Sequence, residues 1–262
     1  MIDRPIIGLN MSMDLIDKYE KYGLLVPISY VDAVAGAGGV PVCLPPCDDF
    51  TMIKRVLQLV DGVVLIGGDD YWPGHFGGHP QPEDELMPGR RDRFDLEFAK
   101  LALNETSLPV LGVCGGHQLI SIAQGGALIQ DIGTEWDCPI GCESIPHSRK
   151  ERSDKEGADF RHPVRVEAGS LADRITKVPE DHVLMTNSSH HQAVHPEKPG
   201  RYLRASAWTP DGVIEAIEPS IDSPWALSGR FILGIQWHPE QMQDEEPQRN
   251  IFRAVVKAAW KK

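Results

Sequence analysis

The chain has 262 residues, 41% of them hydrophobic and 24% charged, an ordinary balance for a globular protein with a sizeable core. The formal net charge of −12 argues against nucleic acids and anionic membranes as partners, because both would be repelled at long range. Five cysteines, no span of about 20 apolar residues and no secretory signal predict a cytoplasmic protein with reduced thiols.

Short apolar runs alternate with amphipathic helical patterns in the first half of the chain. Strands are predicted at 5–9, 40–44 and 61–68, and helices from Ile28 to about Gly38, over 52–60 and along the stripe of Phe94, Phe98 and Leu101. This alternation predicts a parallel sheet flanked by helices, with functional loops at the carboxyl ends of the strands.

The next element, LPVLGVCGGHQ at 108–118, predicts a nucleophile elbow around Cys114. Gly112 and Gly116 leave room for a tight turn from strand to helix. The positive end of the following helix favours thiolate over thiol. We therefore predict that Cys114 is a nucleophile, with a buried structural cysteine as the alternative.

The second half of the chain is richer in β-type segments. Strands are predicted at 162–166, 181–187, 201–208, 212–217 and 231–237, followed by a helix from Gln248 to Trp260. We interpret the first four strands as antiparallel additions to the same sheet, so that residues 1–262 form a single domain. The charged tract at 147–159 predicts a surface loop.

The strand ending at Trp237 is followed by His238, Pro239 and Glu240. Proline keeps the preceding histidine extended, and side chains at i and i+2 of an extended segment point the same way. This spacing lets Glu240 orient the imidazole of His238, which gives a base and its carboxylate. Together with Cys114 they predict a Cys-His-Glu triad.

Three segments carry a resemblance to a known family: GVCGGHQ around Cys114, GIQWHPE around His238 and LIGGDDYWPGHFG from Leu65. They resemble the class I glutamine amidotransferase superfamily, in particular its γ-glutamyl-γ-aminobutyrate hydrolase branch, peptidase family C26. Further support comes from PGRRDRFDLEFAKLAL, TNSSHHQAV and TPDGVIEAI, so the likeness spans nearly the whole chain. Gly115 departs from the branch, which commonly has arginine after the nucleophile, and this leaves the substrate preference open.

The resemblance implies a flavodoxin-like α/β fold and hydrolysis of a small γ-glutamyl amide through a γ-glutamyl thioester. The backbone N–H groups of Gly68 and Gly115 are the expected oxyanion donors. The expected substrate-binding residues are Gln118, Asn187, Ser188, Ser189 and His190. Substrate and water are the expected partners, and a homodimer is compatible with the sequence.

The chemistry needs no metal or organic cofactor. Adjacent residues of an extended segment point to opposite faces, which disfavours a metal site formed by His190 and His191. Cys138, Cys142 and His147 have a loose ligand-like spacing but lack a fourth ligand. The sequence therefore predicts no metal site.

Two other functions remain open at this point. A glutaminase subunit that passes ammonia to a separate synthase would use the same triad but would need a docking surface. A non-catalytic binding module on the same fold is the more distant alternative, since such modules arise when a triad member is lost.

Overall fold

The computed structural model describes residues 4–16, 18, 20–138, 142, 144–148, 160–178 and 180–260. Residues 149–159 of the charged tract therefore lie outside the described residues. At the start of that tract, His147 and Ser148 are buried, so the surface-loop prediction is wrong for these two. The reason is a hydrogen bond from His147 Nε2 to the buried carboxylate of Asp211, 3.1 Å away.

Nine strands form one central sheet in the described part of the chain, and five of them are parallel. In sheet order the parallel strands are β4 (Val40–Leu44), β1 (Ile6–Asn10), β5 (Gly62–Leu65), β6 (Val110–Val113) and β13 (Ile232–Ile235). If these five strands are numbered 1 to 5 in chain order, their order across the sheet is 2-1-3-4-5, which is the flavodoxin-like arrangement. The predicted fold class is confirmed.

Four antiparallel strands extend the sheet beyond β13, as the β-rich second half of the sequence predicts. In sheet order they are β12 (Ile214–Pro219), β11 (Leu203–Trp208), β8 (Arg161–Val166) and β9 (Val183–Asn187). Every second residue of β8 is buried, which is the pattern of a strand with one face towards the core.

Helices cover both faces of the sheet. They are α1 (Ile28–Gly36), α2 (Phe50–Leu57), α3 (Gly89–Glu105), α4 (Gly115–Ala123), α5 (Ile132–Glu135), α6 (Leu171–Thr176), α7 (Pro224–Leu227) and α8 (Glu246–Ala259). One hydrophobic cluster joins the sheet to α2, α3 and α4, and a second joins it to α1, α6 and α8. The molecule thus has three layers.

The predicted stripe of Phe94, Phe98 and Leu101 is the buried face of α3. The rings of Phe94 and Phe98 stack with their centroids 5.5 Å apart. Asp49 caps the amino end of helix α2, since its side chain accepts a hydrogen bond from the backbone of Thr51 over 2.8 Å. Such a cap satisfies one of the four free N–H groups of the first turn.

Two short pairs of strands were not predicted. They are the hairpin of β2 (Ser12–Ile16) with β3 (Lys21–Leu25) and the pair of β7 (Leu128–Ile129) with β10 (Ala193–Val194). The hairpin leaves Leu15, Leu24 and Leu25 exposed, so its sequence lacks the clear alternation of a half-buried strand. Among the helices of the described residues, none has the length and apolarity that crossing a bilayer requires.

The site is placed by the parallel strands. Gly112 of β6 stands opposite Leu65 of β5 on one side and Gly234 of β13 on the other. The loops that follow these three neighbouring strands therefore meet at one edge of the sheet. They carry Gly68, Cys114 and His238.

Candidate active site

Cys114 lies at a strained turn between β6 and α4. Its backbone has φ 53° and ψ −112°, a conformation that residues with a side chain rarely adopt. Two backbone hydrogen bonds maintain this strained conformation. The Cys114 N–H donates to Ile235 O over 2.8 Å, and the Cys114 carbonyl accepts from His117 N over 2.9 Å. The predicted elbow is therefore present, with the thiol at the amino end of α4.

The glycines around Cys114 are required by close backbone contacts. A Cβ on Gly112 would lie 2.3 Å from Gly116 O, and a Cβ on Gly116 would lie 2.0 Å from Leu65 O. Both obstacles are backbone atoms, so no side-chain rotation can relieve the clash. The elbow thus depends on α4 packing directly on β5 and β6.

We expect Gly116→Ala to lower the free energy of unfolding by about 3 kcal/mol or more, because α4 must move away from β5. Gly36→Ala is the matched control, since a Cβ at that helical position meets no atom within 4 Å. Urea denaturation followed by circular dichroism measures both. Equal unfolding midpoints for the two variants would contradict the packing argument.

His238 and Glu240 form a close pair at the end of β13. His238 Nδ1 and Glu240 Oε1 are 2.8 Å apart, and Glu240 is buried. The extended backbone expected for this segment is wrong, since Pro239–Gln241 is a 3₁₀ turn. Proline provides the φ angle for the first position of such a turn, and the turn brings the carboxylate under the imidazole.

The imidazole of His238 lies next to Cys114, close enough for the two side chains to interact electrostatically. Burial by itself lowers the pKa of His238, but the charges of Cys114 and Glu240 outweigh burial and raise the pKa well above 6.5. The arrangement therefore favours the imidazolium form of His238. The structure thus brings all three predicted catalytic side chains together.

Asn187, predicted to bind substrate, instead holds the backbone of His238. Its Oδ1 accepts from His238 N over 2.9 Å, and its Nδ2 donates to His238 O over 3.1 Å. Both polar atoms are occupied in this way. Asn187 is therefore a positioning residue for the base.

We expect Asn187→Ala to reduce kcat by about 10- to 100-fold with little change in KM, because the base loses its alignment while the substrate cavity is unchanged. Asn104→Ala, which removes an exposed amide from the end of α3, is the control. Steady-state kinetics on both variants test this. A rise in KM alone would return Asn187 to the role of a substrate ligand.

The backbone of Gly67 and Gly68 lies directly against the elbow. A Cβ on Gly115 would be 3.4 Å from Gly68 N, so the two predicted oxyanion donors are neighbours. The buried guanidinium of Arg91 fixes the loop by donating to Gly67 O over 2.8 Å. A Cβ on Gly68 would lie 2.2 Å from Arg91 Nη1, so this position must be glycine.

A cavity of about 100 Å³ opens beside Cys114. Of the predicted substrate residues, Gln118, Ser189 and His190 line it. The described lining residues do not include Ser188, whose hydroxyl donates to His147 O over 2.6 Å. The cavity has the size of a small polar group such as a carboxamide.

Hydrogen bonds within the protein fix the side-chain amide of Gln118. Its Nε2 donates to Gln192 O over 3.1 Å and to Gln236 Oε1 over 3.2 Å. Gln236 in turn directs its own Nε2 at Cys114 Sγ, 3.7 Å away. This chain of hydrogen bonds connects α4, the thiol and the loop before β10.

Acidic side chains dominate the charged lining of the cavity. They are Asp69, Asp70 and Glu85. Hydrogen bonds that the His191 ring donates to Asp70, and next to Asp131, outweigh burial and raise the pKa of His191 to about 9, so its imidazolium neutralises part of this charge. Burial, reinforced by the charge of Asp14, raises the pKa of Asp69.

Several site residues were missed by sequence reasoning: Tyr30, Asp70, Arg91, His191 and Gln236. The hydroxyl of Tyr30 is buried between Gly67, Glu240 and Cys114, and burial first, then these two charges, raise its pKa well above 10. The sequence did contain a signal for Arg91. This residue lies three positions before Phe94 and therefore shares the apolar face of the same helix. Asp70, His191 and Gln236 lie inside the segments that carry the family resemblance, whereas Tyr30 lies outside them.

A larger cleft of about 530 Å³ lies at the opposite edge of the sheet, where β13 begins. Its charged lining includes Arg174, Glu218, Arg230 and Lys257. The described residues that line it include neither cysteine nor histidine. Its described lining therefore offers no thiol or imidazole, and the small cavity at Cys114 is the candidate active site.

Comparisons with known proteins agree with this geometry. The family model of peptidase C26 matches residues 5–240. A glutamine amidotransferase-like protein of Rickettsia prowazekii is 30% identical over 99% of both chains. The γ-glutamyl-γ-aminobutyrate hydrolase PuuD of Escherichia coli is 29% identical, over 98% of this chain and 94% of that protein.

Among solved structures, the glutaminase domain of Trypanosoma brucei CTPS with bound acivicin has a similar fold. The TM-score is 0.60 at 18% identity, over 98% of this chain and 94% of that domain. At this identity the likeness concerns the fold.

Proposed function

Since the chain belongs to the peptidase C26 family, we propose that it is a cysteine-dependent hydrolase that cleaves the γ-glutamyl amide bond of a small compound such as γ-glutamyl-γ-aminobutyrate. One observation carries this proposal. The strained Cys114 elbow faces His238, which Glu240 orients from 2.8 Å, next to a small polar cavity. Nucleophile, base and carboxylate then have the relation that acyl transfer requires.

In the first half-reaction the Cys114 thiolate attacks the γ-carbonyl carbon of the substrate. The carbonyl oxygen becomes an oxyanion, which accepts hydrogen bonds from the N–H groups of Gly68 and Gly115. The imidazolium of His238 then protonates the departing nitrogen as the C–N bond breaks. The products are the free amine and a γ-glutamyl thioester on Cys114.

In the second half-reaction water replaces the amine. Neutral His238 accepts a proton from the water, whose oxygen attacks the thioester carbonyl. Collapse of the tetrahedral intermediate expels the thiolate and releases glutamate. Glu240 keeps the imidazole in the required tautomer throughout.

The charges around the cavity influence which leaving amine the site accepts. Asp69, Asp70 and Glu85 are partly neutralised by His191, and Gly115 supplies no side-chain cation. An anionic leaving group is repelled by such a lining, whereas a neutral or cationic one is not. We therefore expect a neutral or cationic γ-glutamyl amine to have a lower KM than γ-glutamyl-γ-aminobutyrate.

Incubation of the purified protein with a panel of γ-glutamyl compounds tests the proposal. The panel contains glutamine, γ-glutamyl-γ-aminobutyrate and γ-glutamyl conjugates of a neutral monoamine and a diamine. Enzymatic measurement of glutamate gives kcat and KM for each. Turnover of the conjugates above that of glutamine supports the hydrolase.

Two other outcomes would overturn it. Activity confined to glutamine, or stimulated by a synthase partner, would identify a glutaminase subunit of an amidotransferase. Binding of the panel compounds by calorimetry without glutamate release would identify a non-catalytic module.

A further inference from the structure

Four buried side chains converge in the antiparallel half of the sheet, and the proposed reaction uses none of them as nucleophile, acid or base. They are His147, His162 on β8, His190 in the loop after β9, and Glu215 on β12. Each is at most 5% exposed. One potential ligand atom from each lies within 4.8 Å of the other three.

The distances within this cluster do not fit hydrogen bonds. Glu215 Oε1 is 3.4 Å from His190 Nε2, 3.7 Å from His162 Nε2 and 3.8 Å from His147 Nδ1. Hydrogen bonds between nitrogen and oxygen are about 2.7–3.2 Å long. Within the described residues, neither oxygen of Glu215 has a hydrogen-bond partner, and neither does His190 Nε2.

The same distances fit ligands around a common ion. Two ligand atoms at about 2.1 Å from a tetrahedral zinc ion are separated by about 3.4 Å. Three ring nitrogens surround one carboxylate oxygen at 3.4, 3.7 and 3.8 Å, equal to or slightly more than this distance, which leaves room for an ion between them.

Two of the imidazoles are already oriented as metal ligands usually are. His147 Nε2 donates to Asp211 Oδ2 over 3.1 Å, which directs Nδ1 at the cluster. His190 Nδ1 donates to Gln192 O over 3.0 Å, which directs Nε2 at the cluster. Hydrogen bonds from the second ring nitrogen to a carboxylate or carbonyl fix the tautomer of most metal-binding histidines.

The charges of the buried side chains also favour a bound cation. Glu215 and Asp211 are both fully buried, and no ion pair joins either of them to lysine or arginine in the described part of the chain. A buried carboxylate is stable only when hydrogen bonds or a nearby positive charge compensate it; Asp211 accepts such hydrogen bonds, whereas neither oxygen of Glu215 has one among the described residues. A dication bound by the three imidazoles would supply that charge.

We propose that His147, His162, His190 and Glu215 bind a divalent transition metal ion, with zinc the best fit, in a closed structural site. Three imidazoles and one carboxylate form a borderline donor set, which suits zinc better than magnesium or calcium. Four protein ligands and full burial leave no coordination position for substrate, which is typical of a structural ion.

The ion would tie the substrate cavity to the antiparallel strands. His190 lines both the cavity and the cluster, and its neighbour Gln192 accepts hydrogen bonds from His190 and from Gln118 on α4. Holding His190 therefore fixes the loop that carries Ser189 and His191. The metal site does not rest on the proposed reaction, since none of its four ligands acts there as nucleophile, acid or base.

The test uses the full chain purified with an affinity tag free of histidine. Mass spectrometry of the metals should find about one zinc ion per chain after dialysis. Removal by a chelator should lower Tm by roughly 5–10 °C, and zinc should restore it. The same zinc content and the same change in Tm are expected in a Cys114→Ala background. Zinc binding is thus tested without the thiol, and its outcome does not depend on whether the proposed hydrolysis is correct.

Variants assign the ligands. Glu215→Gln and His162→Gln should reduce zinc to background, and Asp211→Asn should weaken zinc binding by about 10- to 100-fold. His191→Gln is the matched control and should keep its zinc, because His191 contacts Asp70 and Asp131 outside the cluster. If a ligand variant fails to fold, the stripped wild-type chain is titrated with zinc instead.

Two results would overturn the proposal. One is a stripped, folded wild-type chain that takes up no zinc, iron, manganese or cobalt. The other is a metal content in Glu215→Gln and His162→Gln equal to that of the wild type.

Discussion

Replacement of Cys114 with alanine is expected to lower hydrolysis of every γ-glutamyl substrate by at least about 10⁴-fold while the fold stays intact. The thiolate is the atom that bonds to the γ-carbonyl carbon, and no other described side chain of the cavity is a comparable nucleophile. Alanine keeps the Cβ, so the strained backbone at φ 53° is unchanged.

Steady-state glutamate release and a thermal unfolding curve measure the two parts of this prediction. Cys43→Ala is the control, because Cys43 is exposed on β4 and far from the site in the sheet. Mass spectrometry of the wild type under rapid quench should show a γ-glutamyl adduct on Cys114. Near-normal turnover by Cys114→Ala would remove this residue from the mechanism.

Glu240→Gln is expected to lower kcat by about 10³- to 10⁴-fold with little change in KM. The amide has the shape of the carboxylate, but it can present its NH₂ group to the ring and so support the wrong tautomer. It also removes one of the two charges that raise the pKa of His238. Both effects act on the base and leave the cavity as it is.

The pH profile distinguishes this role from a purely structural one. His238 protonates the leaving amine only below its own pKa, so activity falls as pH rises through that value. Loss of the Glu240 charge lowers this pKa, and the alkaline limb of kcat/KM should therefore move to lower pH. Glu105→Gln, an exposed change on α3, is the control. A wild-type alkaline limb in Glu240→Gln would contradict the assignment.

The short loop from Asn187 to Gln192 serves more than one part of the molecule. Asn187 holds the backbone of His238, Ser189 lines the cavity, and His190 reaches the histidine cluster. This one loop therefore joins the catalytic base to the substrate cavity and to the antiparallel strands.

Much of the fold followed from local pattern. The apolar run at 40–44 is β4 residue for residue, and the stripe of Phe94, Phe98 and Leu101 is the core face of α3. The helix predicted over 52–60 ends at Leu57, and Val60 is buried beyond its end. The β2–β3 hairpin was missed because an exposed ribbon has no buried face to impose a period.

His190 and His191 are neighbours in the chain but do not share a candidate metal site. The two imidazoles do point in different directions, one to Glu215 and the other to Asp70 and Asp131. The sequence did not reveal that His190 lies beside potential metal ligands from three other segments. It also did not reveal the contact of Asn187 with His238, because the two residues are far apart in the chain.

The sequence by itself determined the features whose chemistry depends on neighbours in the chain: the glycine-flanked Cys114 elbow and the His238–Glu240 pair. Their geometry is set within one turn, so spacing along the chain is enough to predict it. Only the tertiary structure brought His147, His162, His190 and Glu215 together, and only it turned Asn187 towards His238. Those contacts depend on the order and register of strands that are far apart in the chain, and backbone pairing across a sheet is not encoded in any short stretch of residues.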